Sequence, residues 1–75
     1  MKQPVIAIYD RKTALFDTPI MVRHVGTAIR EFETLKSKPE TKYGLNPEDY
    51  QMFQVALYDD ETGAFENVAP HVGLS

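Results

Sequence analysis

The chain contains no cysteine and no tryptophan. Without thiols, neither a disulfide nor a thiolate metal site can brace the fold. A core of apolar side chains, or burial against a second copy, therefore has to hold 75 residues together. Histidine occurs only at His24 and His71, far apart and with no carboxylate at ligand spacing, which speaks against a bound metal. No apolar run approaches the length that crosses a bilayer, and the one after Met1-Lys2-Gln3-Pro4 is too short for a secretory signal. No membrane association is expected, and the chain is placed in the cytoplasm of the cell that makes it.

Positive charge is missing from the whole second part of the chain. All eight bases (Lys2, Arg11, Lys12, Arg23, Arg30, Lys36, Lys38, Lys42) lie in residues 1–42, where five acids leave a net +3. From Tyr43 onward there are six acids and no base, among them Glu48, Asp49, Asp59, Asp60, Glu61 and Glu66. A basic part and an acidic end suggest either a scattered hydrated surface or two faces with different partners.

Catalytic chemistry is also absent. Ser37 and Ser75 sit in a helix end and a tail, not on a strained elbow. Asp59-Asp60-Glu61 reads as a solvated turn, with no glycine-rich phosphate loop beside it. A chain of this size also lacks a second layer to close a water-excluding cleft. The expectation is a binding protein with no cofactor, not an enzyme.

Pro4-Val5-Ile6-Ala7-Ile8-Tyr9 is rich in β-branched residues and predicts a strand. After a turn at Asp10-Arg11-Lys12-Thr13, Leu15 to Arg23 predicts a second extended segment. Asp17-Thr18-Pro19 interrupts it, and because proline cannot donate to a ladder the segment is an edge strand or begins properly at Ile20. Val25, Ala28, Ile29, Phe32 and Leu35 fall at 0, +3, +4, +7 and +10, the stripe of an amphipathic helix that Pro39 stops. Residues 38–45 read as a polar connector, and Asn46-Pro47-Glu48-Asp49 as the start of a short helical turn. Met52 to Tyr58 and Ala64 to Val68 predict two more strands around a loop closed by Gly63.

These elements predict an α+β fold: a four-stranded antiparallel sheet (ββαββ) with one helix on one face, a single domain over residues 1–70, and a flexible tail at 71–75. The stretch Ala7 to Asp17 also lines up with Ala56 to Glu66, sharing Ala, Tyr, Asp, Thr and Phe at equivalent places. Two hairpins with a common turn grammar explain this without duplication. Their turns are oppositely charged, Arg11-Lys12 against Asp60-Glu61.

Alternation assigns Ile6, Ile8, Ile20, Val22, Phe53, Val55 and Leu57 to the helix side. The other side would carry Val5, Ala7, Tyr9, Met21, Gln54, Ala56 and Tyr58. One helix covers one side of a sheet, so the other is a hydrated face or an interaction surface. Val5, Ala7, Met21, Gln54 and Ala56 are the candidates for contact with a second copy. Tyr9 and Tyr58 are candidates for stacking on bases, with Arg11, Lys12, Arg23, Arg30 and Lys36 for phosphates.

Ile8-Tyr9-Asp10-Arg11-Lys12, Pro19, Gly26-Thr27-Ala28-Ile29-Arg30-Glu31-Phe32, Asn46-Pro47-Glu48-Asp49-Tyr50 and Tyr58-Asp59-Asp60-Glu61-Thr62-Gly63 form an ordered set. The set resembles the small nonstructural protein of gokushovirus-type microviruses, tiny single-stranded-DNA phages. The likeness runs from Ile6 to Phe65. Ala56 stands where that family usually has glycine, and the connector around Lys38 to Lys42 differs in length. The resemblance implies an early, non-virion phage protein often labelled DNA-binding, and the leading expectation from the residues is a homo-oligomer in the host cytoplasm that engages single-stranded or replicating phage DNA weakly. Its role there is to help move the phage from duplex replication to single-strand synthesis and packaging. The alternative expectation is a protein–protein module, in which a homodimer docks its acidic end (Glu48, Asp49, Asp59, Asp60, Glu61) on a replication or host protein. A third is a minor virion component.

Overall fold

The computed structural model describes residues 1–74. Strands β1 (Lys2–Asp10), β2 (Leu15–Phe16) and β3 (Ile20–Met21) precede helix α1 (Val25–Lys36). A one-turn helix α2 (Lys42–Leu45), a 3-10 turn (Pro47–Asp49) and strands β4 (Tyr50–Asp59) and β5 (Ala64–Gly73) follow. The sheet is antiparallel in the order β2-β1-β4-β5, with β3 also pairing with β1. This is the α+β sheet the sequence predicts, with its second strand split in two. Asp17-Thr18-Pro19 makes the split, and hydrogen bonds from Asp17 N to Ile8 O (2.8 Å) and Val22 N to Pro4 O (3.0 Å) hold the flanks to β1.

The two central strands carry the core because they are paired on both sides and α1 lies across them. Ile6, Ala28, Phe32 and Met52 are buried together, with Ile8, Val22, Ile29, Tyr43, Tyr50 and Leu74 packed around them. Ala28 and Phe32 come from the predicted helical stripe. His24 occupies the N-cap position of α1 and makes no side-chain cap bond.

Three expectations are corrected. The stretch read as a polar connector contains α2, which places Tyr43 against Phe32 (5.6 Å between rings) and Tyr50 (5.0 Å). Thr41 caps this turn by accepting from Gly44 N at 3.0 Å. Gly44 is required there: a Cβ would fall inside the van der Waals envelope of the Lys38 carbonyl. Second, residues 71–73 of the expected tail belong to β5, and Leu74 N donates to Met52 O at 2.9 Å. An apolar end that can dry the core gains more by packing than by staying in water. Ser75, the last residue of that expected tail, lies outside the described residues.

The third correction concerns the sheet faces. Val5 pairs with Ala56 but Ile6 pairs with Gln54, so Val55 is an extra residue in β4. A single-residue bulge reverses side-chain parity beyond it. Gln54 therefore shares the helix side with Ile6, and Phe53 shares the open side with Ala7. Gln54 is withdrawn from the candidate contact residues. Leu57, paired with Pro4, is on the helix side as expected.

Candidate functional site

The side of the sheet away from α1 is uncovered, and its side chains follow from register. Val5, Ala7 and Ala56 form its floor and are themselves 5%, 4% and 8% exposed. They are thus part of the packed sheet and not free contact residues, which corrects the expectation that they would meet a second copy directly. The large side chains around them are what a partner would touch.

At one corner Tyr9 pairs across the ladder with Phe16, their rings 4.8 Å apart. Phe53 lies 6.3 Å from Tyr9 and 6.0 Å from Phe16, edge-on to both. His71 completes the group, 5.6 Å from Phe16 at 90°. These are the offset and edge-to-face geometries that aromatic quadrupoles favour. Arg11 reaches back from the turn to donate from Nη2 to Gln51 Oε1 at 3.0 Å, and Gln51 pairs with Tyr9 on the same face. A guanidinium therefore stands beside an aromatic cluster in which Phe16 and His71 are exposed and Tyr9 and Phe53 half-buried.

At the diagonally opposite corner Tyr58 pairs with Phe65, 4.9 Å apart, and Phe65 is 63% exposed. The charges here are acidic and mostly engaged within the chain. The terminal amine of Met1 lies 2.8 Å from Asp60 and 3.5 Å from Glu61, and Lys2 lies 2.8 Å from Glu66. The bond to Asp60 raises the amine's pKa above its usual range, and the bond to Glu66 does the same for Lys2. Asp59 is pushed below the ordinary carboxylate range, chiefly because the Glu61 backbone N–H donates to it.

The expected site residues do not gather on one surface. Tyr9, Tyr58 and Arg11 belong to the open face, Lys12 is exposed in the adjoining turn, and Met21, opposite Val5, is 50% exposed on that face. Arg30 and Lys36 are carried by α1 on the other side of the sheet, where the Lys36 ammonium lies 4.7 Å from the Phe32 ring centre. Arg23 borders a shallow cleft with His24, Thr27 and Glu31 at the start of α1. Phe16, Phe53, Phe65 and His71 are the functional candidates that residue-by-residue reading missed. The hairpin alignment held the signal for two of them, since it matched Phe16 with Phe65 as it matched Tyr9 with Tyr58.

A half-open cleft forms in this small chain. Where the edge strand breaks, a cavity of about 260 Å³ opens between α1 and β1, walled mainly by Ile6, Ile8, Phe32 and Leu35. Its acids are Asp17 and Glu31. Asp17 accepts from both Lys42 Nζ and Tyr43 Oη at 3.2 Å, which ties the strand break to α2. The bond to Asp17 raises Lys42, and burial raises Tyr43. Among the described residues no group of three or more His, Asp or Glu is placed to hold a metal.

Fold and face together define an open-faced α+β module: one helix behind a sheet whose front displays aromatic side chains. The chain belongs to the Phage ORF5 protein family, whose model matches residues 3–74. No curated protein and no solved structure is detectably similar to it. Among the described residues no helix is long and apolar enough to cross a membrane.

Proposed function

We propose that this phage protein binds single-stranded DNA on its open sheet face, at the corner formed by Tyr9, Phe16, Phe53 and Arg11. The observation that carries the reading is the coincidence, on an uncovered sheet, of three aromatic rings within 6.3 Å of one another and a guanidinium beside them. Bases of any identity stack on such rings, each worth about 1–3 kcal/mol, and this needs no deep cleft. The low count of bases on this face makes the interaction weak, and several copies on one strand would add avidity. A weak, sequence-tolerant grip suits a nonstructural microvirus protein that accompanies the strand from replication towards packaging, as the resemblance implies.

Fluorescence anisotropy with a labelled oligothymidylate tests the reading. Two phosphate contacts, from Arg11 and Lys12, give a slope of log affinity against log salt of no more than about −1.4 at about 0.7 per contact. No binding at low salt defeats the reading. A much steeper slope assigns the affinity to other cations such as Arg30 and Lys36. Docking of the acidic end on a basic protein has less support, because the amine of Met1 and Lys2 already engage Asp60 and Glu66.

A further inference from the structure

We infer that His71 supplies a further phosphate contact to the DNA site on the open face, and makes it only when its imidazole carries an added proton. The inference rests on the DNA reading of that face and adds its dependence on pH. Gly73 pairs with Phe53, so alternation along β5 puts His71 on the same open side. Its exposed ring stands 5.6 Å from Phe16 at 90°. Because β2 and β5 are the outer strands of the sheet, the two rings meet across the face, and a base stacked on Phe16 lies beside the imidazole. Nδ1 of His71 lies 2.8 Å from Val68 O. A carbonyl oxygen only accepts, so Nδ1 carries the N–H, and in the neutral ring Nε2 holds the lone pair. Phosphate oxygens also only accept. The neutral ring therefore offers them nothing at Nε2, and one proton turns that atom into a charged donor.

The charges around this corner make one more cation matter. Strand β1 brings the phenol of Tyr9, and the turn after it brings Arg11 and Lys12. The 3-10 turn before β4 brings Glu48 and Asp49, with Asp49 O accepting from Arg11 N at 2.8 Å. Strands β2 and β4 present Phe16, Phe53 and Gln51 there, none of them charged. Asp10 and Glu66 face the helix side, since Asp10 pairs with Tyr50 and Glu66 with Leu57. His24 is at the start of α1, behind the sheet. Two bases thus stand against two acids, and the corner alone has little attraction for a strand. A charge gained at His71, in contact with the stacking surface itself, tips that balance.

Anisotropy with a labelled oligothymidylate, read at about pH 8 and about pH 5.5, either side of the range in which imidazole gains its charge, gives the test. The full chain should bind about fivefold to tenfold more tightly at the lower pH in low salt, the gain from one exposed charge-assisted hydrogen bond. Its salt slope should steepen by about 0.7, the increment of one phosphate contact on a single strand. H71Q should lose both changes, and H71R should keep the steeper slope at both pH values. Ring-nitrogen NMR shifts of the protein without DNA should show the neutral His71 protonated at Nδ1, a readout that needs no variant to fold. Binding that ignores pH overturns the inference and leaves the DNA reading standing. So does a gain on acidification that H71Q retains, which passes the effect to His24 or the carboxylates, and so does a neutral ring protonated at Nε2. Absence of binding at both pH values defeats the DNA reading itself, and this contact with it.

Discussion

Between Asp10 and Ala14, and again between Asp59 and Gly63, the chain reverses through one and the same loop. In the first, Asp10 accepts from Lys12 N at 2.9 Å, Ala14 N closes the turn on Asp10 O at 2.9 Å, and Ala14 takes φ 58°. In the second, Asp59 accepts from Glu61 N at 2.9 Å, Gly63 N closes on Asp59 O at 2.7 Å, and Gly63 takes φ 74°. Each loop is flanked by a Tyr–Phe pair on the open face, 4.8 Å apart in one hairpin and 4.9 Å in the other. The two loops thus share a backbone and differ in their side chains. One corner has Arg11 and an added Phe53, and its edge strand is broken; the other is acidic, tied to the N-terminus, and runs unbroken into β5. Turn geometry sets where the aromatic pairs stand, and turn charge sets what each pair can meet.

The largest effect is expected from removing the support that only the basic hairpin has. Its broken edge is held to α2 through Asp17, Lys42 and Tyr43, and α2 closes on the Lys38 carbonyl at Gly44. Gly44→Ala should destabilise the protein by about 3 kcal/mol, the upper part of the range for overpacking. Urea denaturation measures it, and a loss below about 1 kcal/mol would show that the turn moves aside freely.

Next comes the functional contrast. Tyr9→Ala should weaken oligothymidylate binding by about 1–3 kcal/mol, the worth of one stacked base. Tyr58→Ala, set among acids that repel phosphate, should change it by no more than about 0.3 kcal/mol, a small fraction of a stacking contact. Equal losses at the two corners would mean that charge does not discriminate between them.

A smaller effect separates the closing residues of the two loops. An L-residue in the left-handed region costs roughly 1–2 kcal/mol, offset in part by the roughly 0.4–1 kcal/mol that glycine loses through its looser unfolded chain. Ala14→Gly should therefore stabilise by about 0.5–1 kcal/mol, and Gly63→Ala should destabilise by a similar amount. Both substitutions have room, since a Cβ at Gly63 meets nothing within 4 Å. Thermal melts of the two single variants and their double should show opposite shifts that nearly cancel.

How much of this was legible before the structure depends on whether the signal is local. The stripe Val25-Ala28-Ile29-Phe32-Leu35 and the Asp–Thr turn grammar are local patterns, and both elements form as read. Pro19 announced the broken edge, since a missing N–H is a property of one residue. The bulge at Val55 was not legible: the alternation Met52 to Tyr58 continues smoothly on paper, and only pairing with β1 shows the extra residue. That one residue moved Phe53 to the open face and Gln54 off it. Helix α2 is too short to show periodicity, and the need for Gly44 arises from Lys38, six positions earlier. The phosphate candidates lie on two sides of the sheet for a related reason. Counting bases cannot tell which side of a sheet carries them, and Arg30 and Lys36 ride on the helix.

The smallest effect lies in the pH dependence of the acidic hairpin. The amine of Met1 is hydrogen-bonded to Asp60 in the folded chain, and its pKa is raised from an ordinary 8.0. A group whose folded pKa is raised lends its stabilisation in full below the unfolded value and loses it as pH climbs through the folded one. Asp59 works in the opposite sense: lowered from 3.8 by the Glu61 N–H, it stabilises above that value and ceases to as pH falls below it. Both groups are solvent-exposed, so each shift in the denaturation midpoint should be slight and should shrink with added salt. Asp60→Asn removes the partner that raises the amine, so the variant's stability should fall less between pH 7.5 and pH 9.5 than that of the parent chain (working pH values chosen about one unit either side of the amine's range). If parent and variant lose stability in parallel over that interval, the N-terminus contributes nothing to the acidic corner. The asymmetry between the two hairpins then rests on Arg11, Lys12 and Phe53 alone.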